Sequence, residues 1–202
     1  MPRTRSVRAH DDVLDAALSL FAARGIDATS VDAIAEASGV SKATIYKHWA
    51  DKNALCLEAL SRITGDAPAG EVDDLGDLRA ELLAAISQAP KSGHEALRAR
   101  IMPHMVAYAA RHPPFARAWQ ARFFEPRRQR IAQAIERAVK RGELAPPANM
   151  DHVVAALVGP GMYGQILKRL HREIAAGLPE FVIETFVRAH STTAVTGRRA
   201  SR

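Results

Sequence analysis

Residues 29 to 49, TSVDAIAEASGVSKATIYKHW, hold two short helical patterns with only a few residues between them, one a glycine. Helices joined so tightly cross at close quarters. That demands a small residue where they touch, a turn residue tolerant of positive φ, and an apolar anchor on the second helix. Ala35, Gly39 and Ile45 fill those roles at offsets of four and then six residues, with Ile34 and Val40 adding apolar packing. The combined pattern is that of a helix-turn-helix and is far more specific than any residue in it.

If Ile45 faces inward, the residues two before and two after it lie about 200° away around the helix. Those are Ala43 and Lys47, with Thr44 beside them. A small, a hydroxylated and a cationic side chain on one exposed face suit a DNA major groove. Lysine donates to guanine O6 and N7, threonine bonds base or phosphate, and alanine meets a thymine methyl. Lys42, Tyr46 and His48 flank that face at positions suited to phosphate, and the backbone amides that follow Ser41 offer an anion site.

Charge supports this only locally. The chain of 202 residues carries a formal +6, yet residues 1 to 52 hold seven basic and seven acidic side chains. Between Ser41 and Lys52, by contrast, stand three lysines and one acid, Asp51. Placement, not the net value, favours a nucleic-acid partner.

The rest of the chain reads as helices. It is 48% hydrophobic but only 5% aromatic, with alanine recurring throughout, a composition that favours an all-α fold. Leu14, Ala17, Leu18 and Phe21 fall on one helical stripe, and Gly25 then stops the helix. Thr29 or Ser30 caps the next, Gly39 ends it, Ser41 caps the third, and Asp51 caps a fourth over 52–63. Polar TGDAPAGEVDD, residues 64 to 74, marks a domain boundary. Further helices are expected at about 75–89, 93–111, 113–124, 126–141, 149–172 and 179–192, separated by KSG, HPP, EP, RGELAPP and AGLP. The tail 193–202 reads as disordered. Nine to ten helices in all are expected, with a DNA-binding domain at 1–52, a linking helix 52–63, and a second domain at 64–192.

At this point residues 11 to 60, from DDVLDAALSLFAARG through SKATIYKHWADKNALCLEAL, resemble the N-terminal domain of the TetR family of bacterial transcriptional repressors. The region RRGELAPPANMDHVVAALVGPGMYGQIL resembles, less specifically, a common form of that family's second domain. The resemblance implies a three-helix DNA-binding domain, a linking helix, and a helical domain that binds a small ligand and forms a homodimer. By position it implies that Ser41, Lys42, Ala43, Thr44 and Lys47 sit in or beside the groove, while Thr29, Tyr46, His48 and Lys52 hold phosphates. Lys47 stands where many relatives carry arginine or tyrosine, so no base preference is carried over. Repression by operator binding, relieved when a ligand shifts the dimer to another spacing, is likewise what the resemblance implies.

In the second domain, large adaptable side chains suggest an apolar effector pocket: Met102, Met105, Tyr108, Trp119, Phe123, Phe124, Met162 and Tyr163, with Tyr108, Tyr163 and Gln165 as polar groups. Pro103 hints at a local bend. The last two helices carry Val153, Val154, Leu157, Leu167, Phe181, Val182, Phe186 and Val187, which resemble the family's dimer interface. Gly159-Pro160-Gly161 is expected to interrupt the first of them.

Other classes fit poorly. There is no H-E-x-x-H, G-x-S-x-G, C-x-x-C or P-loop, and His94, His104 and His112 lack the spacing of two ligands on one helical face, so neither an enzyme, a metal site nor a cofactor is expected. RRQRIAQAIERAVKR, residues 127 to 141, could be a membrane-surface helix through Ile131, Ile135, Ala138 and Val139, although within a helical domain such a stripe more often faces the core while the arginines stay wet. The alternative function is therefore a helical membrane-surface or small-molecule-binding protein without a DNA role. No apolar run approaches the roughly 20 residues of a membrane span, and MPRTRSVRAHDD lacks a signal-peptide core. The lone Cys56 precludes an internal disulfide, fits a cytoplasmic location, and reads as packing.

Overall fold

A computed structural model describes residues 5–64, 74–86, 93–172 and 176–192. Most of the 64–74 boundary and all of the 193–202 tail lie outside these. Among the described residues the chain forms ten α-helices: α1 (Arg5–Arg24), α2 (Val31–Ser38), α3 (Lys42–His48), α4 (Lys52–Thr64), α5 (Leu78–Ile86), α6 (Glu95–Arg111), α7 (Pro113–Trp119), α8 (Glu125–Lys140), α9 (Met150–Arg169) and α10 (Leu178–His190). Their only β pairing is an isolated bridge between Leu144 and Ser191. No helix among them is long and apolar enough to cross a membrane.

The chain divides into two compact units, one comprising residues 1–66 and 89–122, the other 67–88 and 123–202. In the first, the expected stripe of α1 is buried as Leu14, Ala17, Leu18 and Phe21. α1 packs on α2, α3, α4 and α6. α4 adds Leu55, Cys56, Ala59, Leu60 and Ile63, and α6 adds Ile101, Met105 and Tyr108. Each fully buried aliphatic side chain contributes about 1.5–3 kcal/mol.

The core of the second unit joins Leu78, Leu82 and Ala85 of α5 to Ile131, Ala134, Ile135 and Ala138 of α8, with Val153, Leu157, Ile183, Phe186 and Val187 from α9 and α10. Fully buried Glu81 sits inside this packing. Its Oε2 accepts from Arg137 Nη2 at 2.7 Å and Nε at 3.0 Å, and Arg141 Nη1 lies 3.5 Å from Oε1. A carboxylate taken out of water costs several kcal/mol, and these two guanidiniums offset that cost.

One preferred reading holds here and two expectations change. The stripe of α8 is core, with Ile131, Ile135 and Ala138 buried and Val139 packed against them. It has no apolar face left for a membrane surface. Gly159-Pro160-Gly161 does not break α9, which continues through it from Met150 to Arg169. The helices expected at 113–124 and 126–141 are joined by one π-helical turn, Gln120–Phe124. Pro126 opens α8 instead of ending its predecessor, because the first turn of a helix has no use for that N–H.

Candidate nucleic-acid interface

Local chemistry builds the α2–α3 corner. Ser30, not Thr29, caps α2, its Oγ accepting from Ala33 N at 3.1 Å. Gly39 ends α2 in the left-handed region at φ 67°, where a Cβ is unfavourable. Ser41 caps α3, its Oγ accepting from Thr44 N at 3.2 Å and lying 2.8 Å from Thr44 Oγ1. Each such cap is worth about 1 kcal/mol. Ile45 is buried, and Trp49, the C-cap of α3, is buried behind it.

With Ile45 inside, Ser41, Lys42, Ala43, Tyr46, Lys47 and His48 are exposed and Thr44 is half-buried. Lys42 is held at 2.7 Å by Asp32 of α2, and that hydrogen bond raises the lysine above its ordinary pKa. An exposed pair of this kind is weak, so a phosphate can compete for Lys42. His48 meets the edge of the His10 ring, 5.6 Å between centroids.

Two of the residues assigned to phosphates are used otherwise. Thr29 is fully buried, its Oγ1 donating to Gly25 O at 2.7 Å and its N–H to Ile26 O at 3.2 Å. It has nothing left to offer DNA. Lys52 turns back into the protein, donating to the carbonyls of Ile26 at 3.0 Å and Thr29 at 3.2 Å, with Nζ 5.4 Å from the centre of the Tyr108 ring. It fastens the α1–α2 connection to the start of α4.

The apolar residues assigned to an effector pocket are divided between the two units. Met105 and Tyr108 are buried in the first unit, where Tyr108 Oη donates to Asn53 Oδ1 at 2.8 Å. Met102 and Trp119 are half-buried in that unit, and Phe123 is half-buried in the second. In the second unit Met162 and Tyr163 are 54% and 57% exposed, as is much of Phe124. The side chain of Gln165 lies outside the described residues. A half-open cleft of about 670 Å³ in the second unit is lined instead by Asp77, Arg79, Glu143, Arg188 and Thr192 among others.

The residues assigned to the dimer interface also separate. Val153, Leu157 and Phe186, with Val187, are core of the unit itself, and Val154 and Val182 pack partly against it. Leu167 is half-buried, while Phe181 is 68% exposed. The side of α9 opposite Val153 and Leu157 carries exposed Met162, Tyr163 and Ile166, all within about 100° of arc, and exposed Leu170 follows directly after the helix. Hydropathy gave both faces of α9 the same appearance.

What sequence reasoning missed altogether lies behind α3. Trp49 Nε1 donates to Glu58 Oε2 at 2.7 Å, and His10 Nε2 lies 2.9 Å from Glu58 Oε1. No local pattern joins residues so far apart in the chain.

These features define a helix-turn-helix protein with a separate helical unit. Residues 13–59 match the profile described as bacterial regulatory proteins, tetR family, and residues 72–185 match the tetracyclin repressor-like C-terminal domain. The chain belongs to the TetR family of DNA-binding transcriptional regulators, which are not enzymes. It is 29% identical over 162 residues to the uncharacterized HTH-type transcriptional regulator YdeS of Bacillus subtilis (strain 168), covering 80% of each chain. It is 30% identical over 132 residues to the DNA-binding transcriptional repressor TetR of Mycobacteroides abscessus, covering 65% of this chain and 68% of that one. Among solved structures, the flavonoid-responsive regulator FrrA superposes with a TM-score of 0.61 at 27% identity, covering 91% of this chain and 96% of its own.

Proposed function

We propose that this regulator is a repressor that binds an inverted-repeat operator as a homodimer through α3 and is released by a small, largely apolar effector bound outside the helix-turn-helix. The observation that carries the reading is the face of exposed Ala43 and Lys47 with half-buried Thr44 beside them, fixed by buried Ile45 and by caps at Ser30 and Ser41. Lys47 supplies base contacts, while Ser41, Lys42, Tyr46 and His48 hold the backbone. Thr29 and Lys52 take no direct part.

The exposed stripe on α9 supports association with a second copy. Ala155 and Gly159 share its arc with Met162 and Ile166, so a partner helix can approach closely along the small residues and bury the large ones. A symmetric pair places two copies of α3 on half-sites ~34–36 Å apart, or a multiple of that spacing. The name of FrrA, a flavonoid-responsive relative, favours an aromatic or apolar effector. Its action is a population shift: it binds better to the form whose α3 helices are wrongly spaced.

Selection of duplexes from a random pool, followed by binding across a salt series, tests the reading. Enrichment of an inverted repeat is the expected result, and steep salt-dependent binding without any enrichment overturns it. Ile166→Glu should yield a monomer by light scattering with weakened operator binding. A dimer that survives this substitution places the interface elsewhere.

A further inference from the structure

Three elements meet at the carboxylate of Glu58. From α4 it accepts Trp49 Nε1 at 2.7 Å on one oxygen and faces His10 Nε2 of α1 at 2.9 Å on the other. The His10 ring stacks on the Trp49 indole, centroids 4.8 Å apart and planes 26° from parallel. Its edge meets His48, the last residue of α3. Glu58 from α4 and His48 from α3 are thus titratable groups in contact with His10. Of the other acids on α1, Asp11 and Asp15 are paired with Arg62 of α4.

α3 is only seven residues long, and a helix that short is marginal without tertiary support. Its last turn carries Lys47 and His48, and that turn ends on Trp49, whose N–H reaches Ile45 O at 3.0 Å. Holding the indole therefore holds the turn. A neutral His10 donates to Glu58 in only one of its two tautomers. A protonated imidazole donates whichever nitrogen is presented, and the bond becomes charge-assisted.

We propose that His10 and Glu58 form a proton-dependent buckle that positions the last turn of α3 through Trp49, so that DNA is held more tightly when His10 is protonated. This rests on the DNA-binding reading of α3 above. His10 and Glu58 are positioning residues and need not touch DNA. Proton uptake raises the fraction of free protein whose α3 is already seated, and apparent affinity follows that fraction.

The test measures affinity for a fluorescein-labelled duplex carrying the selected inverted repeat between pH 8 and pH 6, the range in which imidazoles gain a proton. Alongside it, emission from Trp49 is followed in Trp119→Phe protein, since the chain has two tryptophans and an imidazolium stacked on indole quenches it. Affinity should rise by up to about fivefold on acidification, the scale of a partly exposed ion pair. His10→Gln, which keeps a donor to Glu58, should abolish the rise and the quenching. Both readouts are taken in a His48→Gln background, because the His48 ring also lies against the indole, 5.5 Å between centroids, and is placed at the phosphates. At fixed pH, His10→Gln should leave the salt slope unchanged, whereas loss of a direct phosphate contact would reduce it by about one.

In that background, a rise that survives His10→Gln overturns the proposal, as does the absence of any rise. If no duplex is selected at any pH, it is the DNA reading that fails. The buckle is then decided by Trp49 alone, and an emission indifferent to His10 overturns it.

Discussion

The ammonium of Lys52 lies 3.2 Å from the carbonyl oxygen of Thr29, and it bonds the carbonyl of Ile26 as well. A cation placed there gathers the α1–α2 connection onto the first turn of α4. Lys52→Met should therefore cost stability, about 1–3 kcal/mol by urea denaturation, because it leaves carbonyls short of a charged donor. Affinity per folded molecule and the salt slope should stay near those of the unmodified protein. A slope lower by about one would return Lys52 to the phosphate backbone.

Lys47→Ala should relax sequence preference at one position of each half-site by about 1–3 kcal/mol. Tyr46→Phe should weaken binding to selected and random duplexes alike. Competition titrations against single-base operator variants separate the two. Equal behaviour of these variants would show that base and backbone roles are wrongly assigned.

Asp32 neutralises Lys42 beside the proposed groove. Asp32→Asn should free the lysine and remove an acid that repels phosphate. Affinity for all duplexes should increase by about two- to tenfold at low salt, with less effect at high salt. Unchanged affinity would mean that Lys42 does not reach the backbone.

How much of this could be read from the chain depended on distance along it. The α2–α3 corner was legible because Ser30, Gly39 and Ser41 act on atoms within a few residues of themselves. The burial of Thr29, the inward turn of Lys52, and the bond between Trp49 and Glu58 depend on which helix lies against which. Periodicity carries no such information. On α9 it marked two apolar faces without saying that Val153 and Leu157 look into the core and Met162 and Ile166 out of it.

Burial pushes the Cys56 thiol up to about 12. The folded protein should therefore resist iodoacetamide at pH 8 and react once unfolded in urea, as read by mass spectrometry, because only the thiolate attacks. Rapid alkylation of native protein would show that α4 opens locally.

Glu184 is flanked by Arg79 at 2.7 Å and Arg188 at 2.8 Å, whose hydrogen bonds hold its carboxyl down at about 2. A depressed carboxylate contributes stability that is present above its ordinary value of 4.5 and is lost as pH falls through the depressed one. The tie between α5 and α10 should therefore persist at pH 3.5 and fail near pH 2. Carbon NMR titration of the Glu184 carboxyl checks this, and a midpoint near 4.5 would dismiss the pairing in solution.

Gly25 and Gly39 look alike in the sequence, and both adopt positive φ, at 86° and 67°. At Gly39 an added Cβ would meet nothing within 4 Å, whereas at Gly25 it would stand 3.0 Å from His104 Nδ1. The first site restricts torsion only, so asparagine, which visits that region readily, is an admissible replacement over evolutionary time. The second restricts torsion and room together. A lineage that drifts away from glycine at residue 25 has to change residue 104 with it, and the two positions should vary as a pair.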